Sequence, residues 1–372
     1  MAHQPKIKVA LIFGGPSPEH EVSIISARNI AQALDKKKYE LLLLAVSQEG
    51  TWYQIRSDVI PHQVKSISDH KLPAHFSQIL WSQQNARPWV YRLEDQQLLS
   101  VDVAFPIVHG RFGEDGSLQG FLKALRLPFV GCDVLSSAIC MDKELTKRLL
   151  SSAGLPVTPW VLLRSPQEKS FKDLSAILGA PFFIKPARQG SSVGVFKIKT
   201  AEDFDEKIKE AFLYDTKVLA EKAVLGRELE VSILGHHANP LASRVGEIKP
   251  QHEFYTYEAK YIDENGAQAF APADIRAETE TKLQELAQKA FQVLDCEGFA
   301  RVDFFDSPSE GLLINELNTL PGFTSISMFP KLWEVSGLSY TDLISRIIEL
   351  GQEKFKIESQ LQITKSQPKN SQ

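Results

Sequence analysis

The chain has 372 residues, more than one compact core usually organises, so two or three domains are expected. Hydrophobic residues make up 43% and charged residues 24%. The net charge is only −4 and no long basic stretch occurs, which argues against nucleic acid as the main partner. Three cysteines without a CxxC pair and the lack of a ~20-residue apolar run predict a cytoplasmic protein with no membrane or nucleic-acid partner.

Strand and helix signals alternate in the first part of the chain. Apolar runs predict three strands, at Lys8–Phe13, Tyr39–Val46 and Val101–Val108. Ser17 and Pro18 predict the N-cap and first position of a helix after the first strand. The third run leads into the glycine-rich segment His109–Gly116 and a predicted helix over Ser117–Leu125. This order predicts a parallel, doubly wound sheet with ligands at the carboxyl ends of its strands.

The later elements follow a less regular order. Ser47–Ser100 is irregular and predicts an insertion, whereas Ser136–Ala153 predicts one helix. Further strands are predicted at Phe182–Lys185, Val193–Ile198, Val218–Glu221, Glu228–Leu234, Leu241–Ile248, Arg301–Phe305 and Leu312–Asn318. Further helices are predicted at Phe204–Phe212, Glu278–Leu294 and Leu343–Leu350. The polar tail Thr364–Gln372 is expected to be disordered.

The strongest chemical signal lies near the C-terminus. Arg301 and Asp303 alternate on one predicted strand, and Glu316 and Asn318 alternate on another, so each pair shares a strand face. If these strands pair, three oxygen ligands and a guanidinium converge, and such oxygens suit Mg²⁺. The spacing alone is also compatible with an exposed strand face that carries scattered polar residues.

A second signal is the loop Pro186–Ser192, which follows a buried-looking strand that ends at Lys185. The glycine and serines of QGSSVG can surround phosphate oxygens with N–H groups and hydroxyls, and the Lys185 ammonium could pair with ATP phosphates. An ordinary hairpin turn stays an alternative. The sequence contains neither GxxxxGK[ST] nor GxGxxG, so the two common nucleotide fingerprints are absent.

Two further places are ambiguous from sequence alone. Glu221 and Lys222 end one predicted strand and Glu228 opens the next, where a purine edge and ribose hydroxyls could bind. Solvated charges around a turn explain the same pattern equally well. His109 could be a general base or a substrate ligand, or a structural histidine at the end of a strand.

Taken together, six segments resemble motifs of the D-alanine–D-alanine ligase family of the ATP-grasp superfamily, in that family's order. They are GGPSPEHEVS (14–23), HGRFGEDGSLQG (109–120), MDKELTK (141–147), KPARQGSSVG (185–194), YEAKY (257–261) and INELNTLPGFTS (314–325). Pro16 and Pro18 are small departures from the first motif. The resemblance implies an α/β and α+β architecture, with a Rossmann-like N-terminal domain followed by a two-part ATP-grasp fold. The implied segments are the N-terminal domain 1–135, a central subdomain 136–227, a catalytic domain 228–363 and a polar tail 364–372.

The same resemblance implies roles for individual residues. ATP would be bound by Lys143, Lys185, Ser191, Glu221, Lys222, Val224, Glu228 and Lys260. Two Mg²⁺ or Mn²⁺ ions would be held by Asp303, Glu316 and Asn318. The implied catalytic residues are Glu19, Ser191, Tyr261, Arg301 and the Gly322 backbone. The two D-alanine substrates would contact Glu19, His109, Arg301, Ser327 and the Met328 backbone.

The implied activity is ATP-dependent ligation of two D-alanines, through an acyl phosphate, for peptidoglycan precursor synthesis by a homodimer. An acyl phosphate hydrolyses easily, so a lid is expected at 254–261. A ligase that takes D-lactate or D-serine second is an alternative, although Tyr261 favours D-alanine by analogy. A carboxylase-type or peptide-tagging ligase has no reason to carry the EHEVS segment. A nucleotide-binding regulator without catalysis should have lost Arg301 or a metal ligand, and all of these residues are present.

Overall fold

The computed structural model describes residues 5–57, 59–60, 62–85, 87–250 and 267–361. These residues form three β-sheets of seven, four and five strands, with helices packed against them. The expected lid at 254–261 and the polar tail at 364–372 lie outside the described residues. No helix in the described ranges is both long and apolar enough to cross a membrane.

The first sheet has the strand order β6-β5-β4-β3-β2-β1-β7. Its strands are β1 (Ile7–Gly14), β2 (Tyr39–Val46), β3 (Trp52–Ile55), β4 (Phe76–Gln84), β5 (Arg87–Arg92), β6 (Gln97–Ser100) and β7 (Val103–Pro106). Only β2, β1 and β7 run parallel, whereas β2 to β6 pair antiparallel. The parallel pairing predicted for the three apolar runs is therefore confirmed, and the antiparallel strands fall in 47–100, where the sequence predicts an insertion. The expected insertion at 47–100 is a meander that extends the sheet, because short connections allow only antiparallel pairing.

The helix that follows β1 is α1 (His20–Ala33), which begins two residues later than Ser17 and Pro18 predict. The Ser17 hydroxyl accepts the Glu19 N–H at 3.1 Å, and the Ser17 carbonyl accepts the His20 N–H at 3.1 Å. These bonds make residues 17–20 a turn rather than the start of the helix. The second helix, α2 (Ser117–Ala124), lies where the sequence predicts it.

The predicted helix over 136–153 is two helices, α3 (Val134–Met141) and α4 (Lys143–Ser152). Asp142 separates them because its backbone is extended, with ψ at 96°. Its carboxylate accepts the Leu145 N–H at 3.2 Å and so caps α4. The break sets the start of α4 beside the loop Pro186–Ser192, called the glycine-serine loop below. There the Lys143 N–H donates to the Ala187 carbonyl at 3.0 Å.

The second and third sheets are antiparallel. The second has the order β10-β9-β11-β8 and is formed by β8 (Trp160–Leu163), β9 (Phe182–Pro186), β10 (Phe196–Ile198) and β11 (Val218–Lys222). The third has the order β14-β13-β12-β15-β16 and is formed by β12 (Arg227–Gly235), β13 (Leu241–Pro250), β14 (Ala267–Phe270), β15 (Gly298–Ser307) and β16 (Gly311–Asn318). Their helices are α5 (Phe171–Leu178), α6 (Ala201–Ala211) and α7 (Ala277–Val293). Each sheet lies within one of the predicted segments, except that β12 begins at Arg227, one residue before the predicted start of the catalytic domain at 228. The boundaries at 135, 227 and 363 stay a proposal.

Two C-terminal helices, α8 (Met328–Val335) and α9 (Tyr340–Ser359), join the third sheet to the first. The largest core cluster contains strand residues of the first sheet together with apolar residues of α9, namely Leu343, Ile344, Ile347 and Ile348. Helix α9 is longer than the predicted Leu343–Leu350, because its exposed polar turns carry no apolar signal. The first and last parts of the chain therefore share one core.

His20, which is buried beside Gly14 and Gly15, should make the free energy of unfolding depend on pH. Its Nδ1 lies 2.8 Å from the Gly15 carbonyl, and its Nε2 accepts the Ile67 N–H at 2.9 Å, so the ring is neutral. Burial lowers the pKa of His20 below 6.5. The unfolded state therefore holds more protons just below pH 6.5, and stability is lost as the pH falls through this range. In urea unfolding between pH 7.5 and pH 5, His20→Gln should show a smaller loss than wild type.

The matched control is His62→Gln, because His62 is exposed. That variant should keep the wild-type pH dependence. If His20→Gln lost stability with pH as steeply as wild type, the acid sensitivity would come from another group.

Candidate functional site

A cleft of about 540 Å³ lies where the three sheets meet. Most of the residues singled out from the sequence line it, namely Glu19, His109, Lys143, Ser191, Glu228, Arg301, Asp303, Glu316, Asn318, Gly322, Ser327 and Met328. They come from strands of the third sheet, from loops that follow strands of all three sheets, and from the starts of two helices. A cleft with convergent polar and charged groups is the usual form of a small-molecule site.

Three carboxylates form a row across the floor of the cleft. The register of the third sheet places Glu230 of β12 opposite Asp303 of β15, and Asp303 opposite Glu316 of β16. Residues that are paired across neighbouring strands point to the same face of a sheet. Arg301 neutralises part of this charge, because its Nε and an Nη donate to Asp303 at 2.7 and 2.8 Å and its Nε lies 3.2 Å from Glu230. The alternation predicted for Arg301 and Asp303 is confirmed.

The donor set at this row suits a hard divalent cation. Asp303 and Glu316 contribute carboxylates, and Asn318 contributes an amide oxygen that also accepts the Leu320 N–H at 2.9 Å. No group of three or more His, Cys, Asp or Glu side chains in the described part of the chain is arranged to hold a metal. Two carboxylates and an amide fit Mg²⁺ or Mn²⁺ only when substrate phosphates complete the coordination.

The glycine-rich segment His109–Gly116 and the loop Pro186–Ser192 meet at Glu19. The Ser191 hydroxyl donates to the Glu19 carboxylate across 172 positions of sequence. Ser191 has a positive φ of 49°, a conformation that costs energy for a residue other than glycine and that persists at functional sites. Gly110 packs against the same carboxylate, since a Cβ there would lie 2.7 Å from Glu19 Oε2. The structure thus brings together residues that the sequence placed in three separate motifs.

A buried ionic cluster stands behind the glycine-serine loop. The Lys185 ammonium lies 2.7 Å from one Glu221 oxygen, and the Lys147 ammonium lies 3.4 Å from the other. Lys147 also donates at 3.2 Å to the carbonyl of Asn315, which lies on β16, the strand that carries Glu316 and Asn318. Burial lowers the pKa of Lys147 to about 8. Lys185 and Glu221 therefore face each other rather than the cleft, whose lining they do not join.

The remaining residues expected at the nucleotide occupy the connection between the second and third sheets. Lys222 pairs with Glu310 at 2.9 Å, and Val224 lies half-buried in the segment 223–226 between β11 and β12. Only Glu228 of this group lines the cleft. Lys260 and Tyr261 lie outside the described residues, so their assignments stay predictions from the resemblance.

The opposite wall of the cleft consists of His109 and the loop before α8. His109 lies between two partners, with Nδ1 at 3.1 Å from the Leu320 carbonyl and Nε2 at 3.0 Å from the Ser26 hydroxyl. Gly322 and Ser327 line the cleft next to the N-terminus of α8, which Met328 opens. A helix N-terminus presents unpaired N–H groups that favour an anion.

Sequence reasoning missed Glu230 and Lys147. Glu230 follows Glu228 by two positions on one strand, so the same alternation that found Asp303 could have found it. Lys147 lies in the MDKELTK segment, but a lysine at helical spacing looks like a solvated side chain. Only the packing of α4 against β11 and β16 shows that its ammonium is buried.

Comparisons with known proteins agree over nearly the whole chain. Residues 8–132 match the family model for the D-ala D-ala ligase N-terminus, and residues 149–349 match that for the C-terminus. The D-alanine–D-alanine ligases A of Escherichia coli and Chromobacterium violaceum are 46% and 48% identical, over 96% of this chain and 99% and 98% of theirs. The D-alanine–D-alanine ligase structure from Coxiella burnetii superposes with a TM-score of 0.85 at 37% identity, covering 96% of this chain and 97% of that one. The D-Ala:D-Ser ligase VanG from Enterococcus faecalis superposes with a TM-score of 0.82 at 35% identity, covering 93% and 100%.

The stability of the protein should depend on Glu221, because its carboxylate is the shared partner of both lysines in the buried ionic cluster. Glu221→Gln should lower the free energy of unfolding by about 3 kcal/mol, because it leaves two buried ammonium groups without a carboxylate. Lys147→Met should cost less, since Glu221 keeps Lys185 and the desolvation of Lys147 is relieved. Urea unfolding at pH 7 measures both.

Glu310→Gln is the control, because Glu310 belongs to a more exposed pair with Lys222 and should change stability by no more than about 1 kcal/mol. A Lys147→Met variant that is as unstable as Glu221→Gln would contradict this account of the cluster.

Proposed function

This chain belongs to the D-alanine–D-alanine ligase family, and on that premise we propose that it uses ATP to join two D-alanines into D-alanyl-D-alanine, with release of ADP and phosphate. The observation that carries the proposal is the row of Glu230, Asp303 and Glu316 with Arg301 beside it, facing a cleft that Ser191 and Glu19 border. Such a row suits polyphosphate and metal chemistry. The dipeptide would supply peptidoglycan precursor synthesis.

The reaction needs two steps, because a carboxylate cannot lose oxide when an amine attacks it. In the first step, a carboxylate oxygen of one D-alanine attacks the γ-phosphorus of ATP, and the bond to ADP breaks. In the second step, the amine of the other D-alanine attacks the acyl phosphate carbonyl, loses a proton and expels phosphate. Phosphoryl transfer is mainly positioning and charge neutralisation, for which Lys143, 3.7 Å from Glu316, is well placed.

We assign Asp303, Glu316 and Asn318 as the residues that would hold two Mg²⁺ or Mn²⁺ ions. When bound, these ions would neutralise phosphate charge during transfer. Glu230 shares their sheet face and binds Arg301, so it holds the guanidinium against the row. Lys185, Glu221, Lys222, Val224 and Glu228 are proposed to bind the nucleotide. The Lys185 ammonium has three donors, so its ion pair with Glu221 leaves it able to donate to a phosphate oxygen as well.

The substrates are proposed to lie between Glu19 and α8. Glu19 would receive the ammonium of the first D-alanine, and Ser191 holds that carboxylate in place. The guanidinium of Arg301 and the Gly322 N–H would stabilise the oxyanion of the tetrahedral intermediate. Ser327 and the Met328 N–H, at the start of α8, would bind the carboxylate of the second D-alanine. A cytoplasmic location and a homodimer stay proposals from the resemblance.

The decisive assay follows ADP release with Mg-ATP and D-alanine as the only amino acid. D-alanine should support turnover and give a dipeptide detectable by mass, whereas L-alanine should not. Holding the first substrate's ammonium at Glu19 and its carboxylate at the γ-phosphate would put the methyl groups of the two enantiomers on opposite sides. Turnover only after D-lactate or D-serine is added would assign the alternative second substrate. ATP binding without turnover under any of these conditions would support a non-catalytic regulator and contradict the proposal.

Arg301→Lys separates the role of the guanidinium from its charge. The lysine keeps one positive charge beside Asp303 and Glu230 but loses the two-point contact with Asp303 and the fixed donor geometry. We expect turnover to fall about 10²- to 10³-fold, the usual effect of removing one oxyanion donor, while ATP affinity stays close to wild type. Steady-state kinetics and calorimetric ATP titration measure the two quantities.

Arg244→Lys is the matched control, because Arg244 pairs with Glu280 at 2.6 Å on a more exposed part of the same sheet. It should leave turnover unchanged. An equal loss of ATP affinity and turnover in Arg301→Lys would show that Arg301 has a structural role in the third sheet.

A further inference from the structure

The loop that carries Gly322 is fastened to the first sheet's helix rather than to its own sheet alone. This loop, residues 319–327, connects β16 with α8. The Phe323 N–H donates to the hydroxyl of Ser26 on α1 at 3.2 Å. The Phe323 carbonyl accepts from Asn29 Nδ2 at 3.1 Å and from the Tyr340 hydroxyl at 2.9 Å. Both polar groups of one residue next to Gly322 are therefore held by side chains from α1 and α9.

The Ser26 hydroxyl contacts both His109 and Phe323. A carbonyl can only accept, so the contact of His109 Nδ1 with the Leu320 carbonyl at 3.1 Å puts the ring proton on Nδ1. The Ser26 hydroxyl lies 3.0 Å from Nε2, within hydrogen-bond distance of the other ring nitrogen. The same hydroxyl accepts the Phe323 N–H. Ser26 and His109 thus form a chain of bonds that ties the loop at Leu320 and at Phe323, on both sides of Gly322.

Packing and hydrogen bonding do different work in this loop. The Phe323 ring is fully buried and contacts Phe105, Phe299 and Phe329 at centroid distances of 6.0, 5.8 and 5.3 Å. These contacts place the residue, but a ring leaves the rotation of its neighbouring peptide planes free. The bonds from Ser26, Asn29 and Tyr340 set that rotation. Burial raises the pKa of Tyr340, so its hydroxyl keeps the proton that it donates.

We propose that Ser26 is a positioning residue, which works with His109 to aim the Gly322 N–H at the tetrahedral intermediate. Ser26 is fully buried and does not line the cleft, so it acts through the loop and not on the substrate. His109 lines the cleft with its ring edges, while both of its nitrogens are engaged by Ser26 and Leu320. His109 therefore holds the loop and also lines the cleft, where its contact with the first substrate stays a prediction from the resemblance. The inference rests on the proposed ligation, whose second step is the one that develops an oxyanion.

Ser26→Ala tests the proposal by separating the two chemical steps. Exchange of the bridging oxygen of ATP in the presence of D-alanine reports acyl phosphate that forms and reverses, and dipeptide release in the same reaction reports the second step. This exchange should continue near the wild-type rate. Dipeptide formation should fall about 10- to 100-fold, the scale of effect expected for a slightly misplaced group, and the Michaelis constant for ATP should stay unchanged.

Two further variants keep the test decisive. The pair Asn29→Leu and Tyr340→Phe removes both donors to the Phe323 carbonyl and leaves Ser26 in place, so it should produce the same split even if Ser26→Ala folds poorly. Ser136→Ala is the control, because Ser136 is an equally buried helix serine that donates to the Asp133 carbonyl at 3.3 Å away from the loop. It should change neither step.

The proposal is overturned if well-folded Ser26→Ala keeps wild-type dipeptide formation. It is equally overturned if Ser26→Ala, or the Asn29 and Tyr340 pair, slows both steps in proportion, because that pattern indicates a general structural defect. Failure of the ligase assignment itself would appear in the wild-type protein as an absence of dipeptide. The two kinds of failure are therefore distinguishable.

Discussion

The site depends first on the antiparallel register of β12, β15 and β16. That register places Glu230, Asp303 and Glu316 in one row and sets Arg301 beside them. Three carboxylates this close repel one another, so the row is stable only while cations balance it. Arg301 supplies part of that charge and Lys143 lies 3.7 Å from Glu316. A shift of one residue in the register would turn these side chains to the other face and dissolve the site.

Hydrogen bonds between loops hold the first and second sheets together beside this row. Glu19 accepts from Ser191, which joins the loop after β1 to the loop after β9. Arg111 extends the same connection, since it donates to the carbonyls of Arg188 and Tyr214 at 3.1 and 3.0 Å. These contacts therefore hold the loop after β1 and the loop after β9 together beside the carboxylate row.

The core shared by the first sheet and α9 also connects the sheets. Phe323 contacts Phe105 of the first sheet and Phe299 of the third, so the loop with Gly322 lies at the junction of two sheets. Polar bonds from Ser26 and Asn29 then orient a backbone that packing alone would leave free to rotate. A chain divided into three sheets thus works as one catalytic unit.

The family, the fold class and the alternation of Arg301 with Asp303 can be predicted from the sequence, because motif order and strand periodicity are local properties of the chain. The sequence also located most helices and strands, but it merged α3 with α4, since Asp142 breaks the helix through its own capping bond. Three features depend on how the chain folds: Glu230 completes the carboxylate row, Lys147 is buried, and Ser26 reaches Phe323. These residues act through partners 73 to 297 positions away in the chain. No local pattern records which distant strand or loop a side chain will meet, because that depends on the packing of the whole core.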